Sequence, residues 1–400
     1  MGALALGSAG LLLDACSSGS SNGATRADGC GQPPKLSRPD NRATLPLCAD
    51  PIADGLEPES GTLKVFNYDA YLGDDLIRAF EHEYKAKVEV TSFESMDEAI
   101  DKLQNGTVAF DISNVGVDRI GTLAATGTLQ PLNHSYLPNR ANLWTALQDP
   151  FYDVGSRYSI PYTIYTTGIG WRTDKVDAAA APPTVADATD MLYNPRHKGK
   201  VWILDDAREA LSMALLRLGT TNVNTEDPAL VAKARAELER LVPLVNLKIG
   251  SADYQTLADG QAWVTQAWSG DVINAVASLP KGVGPEALGY WFQPDGHGLI
   301  QSDTFAIPKR AQHPVLAHHF MNFLLDPAHA RTNIAGTGYQ MPLRAITPDT
   351  LIADGVVPKH LSTAVVRESD FVNGYEQLQL TPTGDRLWQH EWSKLTSGAG

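Results

Sequence analysis

Apolar residues recur along the chain with two periods, and the segments that carry them alternate. Leu63-Lys64-Val65-Phe66-Asn67-Tyr68 alternates and predicts a strand, and residues 69–73 read as a loop. Asp74 to Tyr84 places Leu76, Ile77, Phe80 and Tyr84 on one helical face. Val88-Glu89-Val90 predicts a second strand, Ser95 to Leu103 a helix, and Ala109-Phe110-Asp111-Ile112 a third strand. Strands alternating with helices imply an α/β fold on a parallel sheet. Further on, Arg157 to Trp171 is a long extended run with few helix formers, the pattern of a strand that crosses between lobes.

Val201-Trp202-Ile203-Leu204 is an apolar run of the length of a fully buried strand. It turns through Asp205-Asp206 into a helix on Ala210, Leu211, Ala214, Leu215 and Leu218, with Gly219 placed as a C-cap. Asp206 and Glu209 therefore stand together where a strand hands over to a helix. In open α/β sheets ligands bind at the carboxyl ends of strands. Asp-x-x-Glu before an apolar run is also close to a capping box, in which both side chains serve the helix's own N–H groups. Local sequence leaves both readings open.

Composition narrows the function classes. With 400 residues and 43% hydrophobic content the chain can bury two lobes. A formal charge of -14 argues against a nucleic-acid partner and suits a cationic ligand. The histidines are scattered, and no Cys or His grouping has metal spacing, so neither a metal nor a cofactor is expected. Asp206 and Glu209 would also serve as the acid/base pair of an exported hydrolase. That enzyme reading finds no support in a Gly-x-Ser-x-Gly elbow, a His-Glu-x-x-His pair or a dinucleotide glycine signature.

Ala3 to Leu13 is an apolar run of signal-peptide length, too short to span a bilayer. Leu13-Asp14-Ala15-Cys16 and the Ser/Gly stretch after it resemble a bacterial lipobox and tether, which implies cleavage before Cys16 and lipidation of its thiol. No basic segment precedes the run, which suggests a start codon placed too late. An ordinary secretory signal cut nearby is the alternative. Cys30 and Cys48 then make an even pair in an exported chain and are expected to form a disulfide. It would close a Pro-rich extension, Gln32 to Pro58.

VFNYDAYLG, YSIPYTIYTTGIGW, NPRHKGKVWILDDAREALSMALLRLG, AWSGD, SDTFAIPKRA and MNFLLDPAHARTNIAGTGYQMP occur in that order. Together they resemble the bacterial spermidine/putrescine-binding proteins that serve polyamine ABC importers, over roughly Leu63 to the end. The resemblance implies a two-lobed periplasmic-binding-protein fold of type II. Residues 61–165 plus 301–339 would form the first lobe, and 166–300 plus 340–400 the second. It further implies that Asp206, Glu209 and Asp303 grip ammonium groups while Tyr68, Tyr71, Trp268 and Tyr339 line the channel. Asp69 joins this set as an acid in the first loop, with Asp271 and Gln301 as weaker candidates. The implied partners are a polyamine or another small cation, the permease and ATPase subunits of an importer, and the membrane through a lipid anchor. The protein would act as an extracytoplasmic monomer. Tyr68 stands where relatives often carry tryptophan, Ala70 where they often carry an acid, and Gln301 where an aromatic is usual. These departures leave spermidine and putrescine both open.

Overall fold

The computed structural model describes residues 29–33, 35–93, 95–106, 108–176, 184–250 and 254–398, so the signal-like segment and Cys16 lie outside the described residues. The scaffold strands are β1 (Thr62–Tyr68), β2 (Lys87–Phe93), β3 (Ile112–Gly116), β4 (Leu129–Gln130), β5 (Ser159–Arg172), β6 (Val201–Ile203), β7 (Lys248–Ile249), β8 (Val264–Trp268), β9 (Leu288–Trp291), β10 (Leu299–Pro308) and β11 (Tyr375–Glu376). Their order is β2-β1-β3-β10-β5-β8-β6-β7, with β4 and β11 against β10 and β9 against β5.

The sheet is mixed, where strand–helix alternation predicts a parallel one. β1 runs parallel to β2 and β3, and β6 runs parallel to β7 and β8. Between these two blocks β10 lies antiparallel to β3 and β5, and β5 antiparallel to β8. The reason is connectivity. β5 carries the chain from the first block to the second and β10 carries it back, so the two must oppose each other. β5 is 14 residues long and buried at every position but Trp171. At ~3.3 Å per residue it reaches roughly 45 Å, enough to run through both blocks.

The third strand starts at Ile112, not at Ala109 as its apolar pattern suggests. Asp111 marks the ladder's end. Its carboxylate, 1% exposed, accepts the backbone N–H groups of Lys64, Gln312 and His313. Each block has its own apolar packing. In the first, Leu63 and Val65 of β1 meet Leu76 and Phe80 of the helix Asp74–Tyr84 and Leu316 and Phe320 of the helix Pro314–Leu324. In the second, Val201, Ile203 and Val264 meet Leu211, Val231, Leu238 and Trp388. Cys30 and Cys48 are joined by a disulfide. The extension it closes rests on the first block through Leu45, which packs with Phe66 and Tyr158. Tyr158 Oη donates to Pro46 O at 2.6 Å, and Arg157 reaches Leu45 O at 2.8 Å. Among the described residues no helix is long and apolar enough to cross a membrane.

Candidate functional site

A cavity of about 630 Å³ lies between the blocks, where the carboxyl ends of β1, β3, β6 and β8 converge on β10. Tyr68, Asp69, Tyr71, Asp206, Glu209, Trp268, Asp271, Gln301, Asp303 and Tyr339, all expected from sequence at a site, line this one space. Elements far apart in the chain bring them there.

Asp206 is the N-cap of the helix Ala207–Arg217 and accepts the N–H groups of Arg208 at 2.8 Å and Glu209 at 2.9 Å. Both bonds fall on Oδ1, so capping uses one carboxylate oxygen. No reciprocal bond from Glu209 completes a capping box in this helix. Asp206 is open to the water of the cavity, yet protein surrounds it and pushes its pKa up against the pull of the two N–H bonds. Glu209, one turn on, is 3% exposed, and its Oε2 bonds to nothing. Burial first, and then the charge of Asp206, hold its carboxyl well above the ordinary range. The Thr167 hydroxyl and the Trp268 indole N–H stand beside it without closing a hydrogen bond.

Asp303 sits where the pairing of β10 with β5 slips, between Asp303 and Thr304. A bulge of this kind re-aims a side chain, which is why bulges gather next to sites. Asp303 is 5% exposed and accepts from Thr163 Oγ1 at 3.3 Å. Burial pushes its carboxyl up to about 7, with Thr163 pulling the other way.

The rings form a second wall. Tyr71 lies 4.2 Å from Tyr339 and 5.3 Å from Tyr68 between centroids, while Tyr165 meets Trp268 and Tyr339 edge-on at 6.1 and 5.9 Å. Tyr339 Oη donates to Asp271 Oδ1 at 2.7 Å. Gly270 makes room for that ring, since a Cβ there would come within 2.6 Å of it. Burial, and next the charge of Asp303, push the hydroxyls of Tyr68, Tyr71 and Tyr165 upward, so these rings remain neutral faces and donors. An electron-rich face opposite a carboxylate suits a cation with an apolar stem.

Sequence reasoning missed Tyr165, Asp118, Arg119, Ser302 and Gln377, which also line the cavity. Asp118 and Arg119 follow the carboxyl end of β3, a position that could have flagged them. Gln377 comes from β11's exit, and no local signal announces it. Arg119 Nε lies 3.2 Å from Asp118 Oδ2, and its Nη2 reaches Asp97 at 3.3 Å and Asp385 of the C-terminal helix at 3.7 Å. Among the described residues no group of three or more His, Cys, Asp or Glu is arranged to hold a metal ion.

This geometry has relatives. The spermidine/putrescine-binding periplasmic protein of Escherichia coli is 30% identical over 302 residues, 74% of this chain and 83% of that one. The putrescine/cadaverine-binding protein of Pseudomonas aeruginosa is 27% identical over 334 residues, covering 81% and 88%. Among solved structures, the TpPotD lipoprotein of Treponema pallidum superposes with a TM-score of 0.69 at 22% identity, covering 84% of this chain and 99% of that one. That likeness establishes the shared two-lobed fold. The sequence also matches the profile of the bacterial extracellular solute-binding proteins over residues 75–354. A match of that extent, running through both blocks and across the cavity between them, means that the chain belongs to the bacterial extracellular solute-binding protein family.

Proposed function

We propose that the protein captures a linear polyamine, spermidine or putrescine, and delivers it to an ABC importer. The observation that carries this reading is Glu209. A buried carboxylate with an unbonded oxygen, facing rings across a cavity, is costly without a cationic guest. Ammonium groups would bond Asp206, Glu209 and Asp303, and the rings of Tyr68, Tyr71, Trp268 and Tyr339 would cover the methylenes. Asp69, Asp271 and Gln301 would complete the lining. Charge-assisted hydrogen bonds contribute roughly 1.5–3 kcal/mol each, so three of them and a few rings can supply the ~8 kcal/mol of a micromolar binder.

In this reading residues 61–165 plus 301–339 and residues 166–300 plus 340–400 close as lobes about β5 and β10. The Arg119–Asp385 contact would then tie the rims of the closed form. A monomer held by lipid on Cys16 would present the ligand to permease and ATPase subunits outside the cytoplasm, and it would catalyse nothing. The polyamine names of the relatives from E. coli and P. aeruginosa support this reading.

Isothermal titration with spermidine and putrescine tests it. Saturable heat with no chemical change in the amine is expected, and silence with both would refute it. Asp206→Asn should weaken binding about tenfold while the apo melting temperature stays put, because asparagine caps a helix as well as aspartate does. An unchanged affinity with a lower melting temperature would reduce Asp206 to a cap.

A further inference from the structure

One glutamine outside the cavity bonds to both ends of the turn that carries the acidic pair. Gln266 lies in β8, two residues before Trp268, and is fully buried. It is not among the residues that line the cavity. Its Oε1 accepts Leu204 N–H at 3.3 Å, and its Nε2 donates to Glu209 O at 2.9 Å. Between those two points lie Asp206 and the first turn of the helix Ala207–Arg217.

The end of a strand is the reason for an amide here. β6 pairs with β8 at Val201 and Trp202 and stops at Ile203, while β8 runs on to Trp268. Leu204, 1% exposed, leaves the ladder with its N–H buried, and the Gln266 side-chain oxygen takes the place of the missing strand. The bond to Glu209 O answers no such need. A carbonyl in the first turn of a helix is served by the N–H four residues on, and its second lone pair can stay empty. What this second bond does is fix where the helix begins relative to β8.

The group that stands at that point is the Glu209 carboxyl. Alternate residues of a strand share a face, so Gln266 and Trp268 point to the same side of the sheet. Gln266 holds the backbone of Glu209, and the Trp268 indole N–H stands beside its side chain. Thr167, paired with Trp268 across β5, brings its hydroxyl beside the same carboxyl. Side chains that grip a ligand must be held within about 0.5 Å of the productive geometry by groups that never touch it.

We propose that Gln266 is a positioning residue for polyamine capture: through Glu209 O it sets the place of the Glu209 carboxyl, and it makes no contact with the ligand itself. The proposal rests on the polyamine reading and extends it to a residue behind the cavity wall.

The test is titration of spermidine and putrescine into the wild-type protein and into Gln266→Met, which is close in volume and makes neither bond, alone and combined with Glu209→Gln. At about pH 8, Gln266→Met alone should weaken both amines about tenfold. In the Glu209→Gln background the same change should lower affinity less than about threefold, because the charge it positions is gone. Gln266→Glu is the conservative rescue. At about pH 6 a carboxyl buried there stays protonated, so it accepts from Leu204 and donates to Glu209 O. Its affinity should stay within about threefold of wild type at that pH, and fall at least about fivefold below wild type at about pH 9, where a carboxylate would face the carbonyl. Melting curves register folding, and if Gln266→Met does not fold, the change of that ratio with pH decides. Unchanged affinity in Gln266→Met, equal losses in the two backgrounds, or a ratio for Gln266→Glu that does not move with pH would overturn the positioning role and leave the polyamine reading standing. Absence of binding by either amine to the wild type would overturn both.

Discussion

The two walls of the cavity are finished to different degrees. On the aromatic wall Tyr71 and Tyr339 pack with their rings tilted, Tyr162 Oη donates to Tyr71 O, Asn333 Oδ1 accepts Gly73 N–H at 3.0 Å, and Tyr339 is bonded to Asp271. Apart from the Trp268 indole N–H, which faces Glu209 without a partner, this wall stands bonded without a ligand. On the acidic wall Glu209 Oε2, Thr167 Oγ1 and Ser302 Oγ have no hydrogen-bond partner. An unsatisfied buried polar group costs about 1–3 kcal/mol. The aromatic wall therefore contributes to folding, and the acidic wall opposes it. Stability and affinity should separate cleanly between the two walls.

Glu209→Gln probes the contrast with the largest expected effect. Polyamine affinity should fall between about ten- and a hundredfold, the worth of a charge-assisted hydrogen bond. The apo protein should melt higher, since the change removes a buried charge that Asp206 repels. Calorimetry of both quantities decides it; a lower melting temperature with intact binding would place Glu209 among the structural residues.

Next in size is the pH response of Asp303, whose folded carboxyl titrates at about 7 against an ordinary 3.8. Because the folded pKa is raised, the native state keeps a proton that the unfolded chain has released. The resulting stabilisation is complete below the ordinary value and is lost as pH rises through about 7. Binding runs the opposite way, since an ammonium needs the ionised acid. Affinity should rise at least about tenfold from pH 6 to 8, as the ionised fraction of Asp303 does, with Glu209, raised to about 8, adding to the slope; Asp303→Asn should make the slope shallower. A pH-independent affinity in wild type would remove Asp303 from the ammonium-binding set.

The smallest effect belongs to the finished wall. Tyr339→Phe removes the bond to Asp271 and should lower stability by about 1 kcal/mol in denaturant melts. Polyamine affinity should change less than about threefold, because the ring face survives. A large loss of affinity with normal stability would mean that the hydroxyl itself reaches the ligand.

Much of the scaffold was legible because it is local. The helix Asp74–Tyr84 follows from spaced apolar residues, and Asp206 as a cap follows from its place before Ala207. The third strand was misplaced by three residues because Asp111, inside an apolar run, gives its carboxylate to amides of distant segments. The parallel reading of the sheet failed at β10 and β5, whose directions depend on which block each strand enters.

By itself, the sequence determined which segments become helix or strand and which carboxylates end up at strand ends, since both depend on neighbours a few residues away. Tertiary structure alone decided what those carboxylates experience. Glu209 is buried where Trp268 and Thr167 arrive beside it from other strands, and Asp303 is shielded at a slip in register between two long strands. Ser302, Tyr152 and Glu376 lie together although well over a hundred residues separate the first from the second. Desolvation depends on everything that surrounds a group, and no window along the chain contains that information.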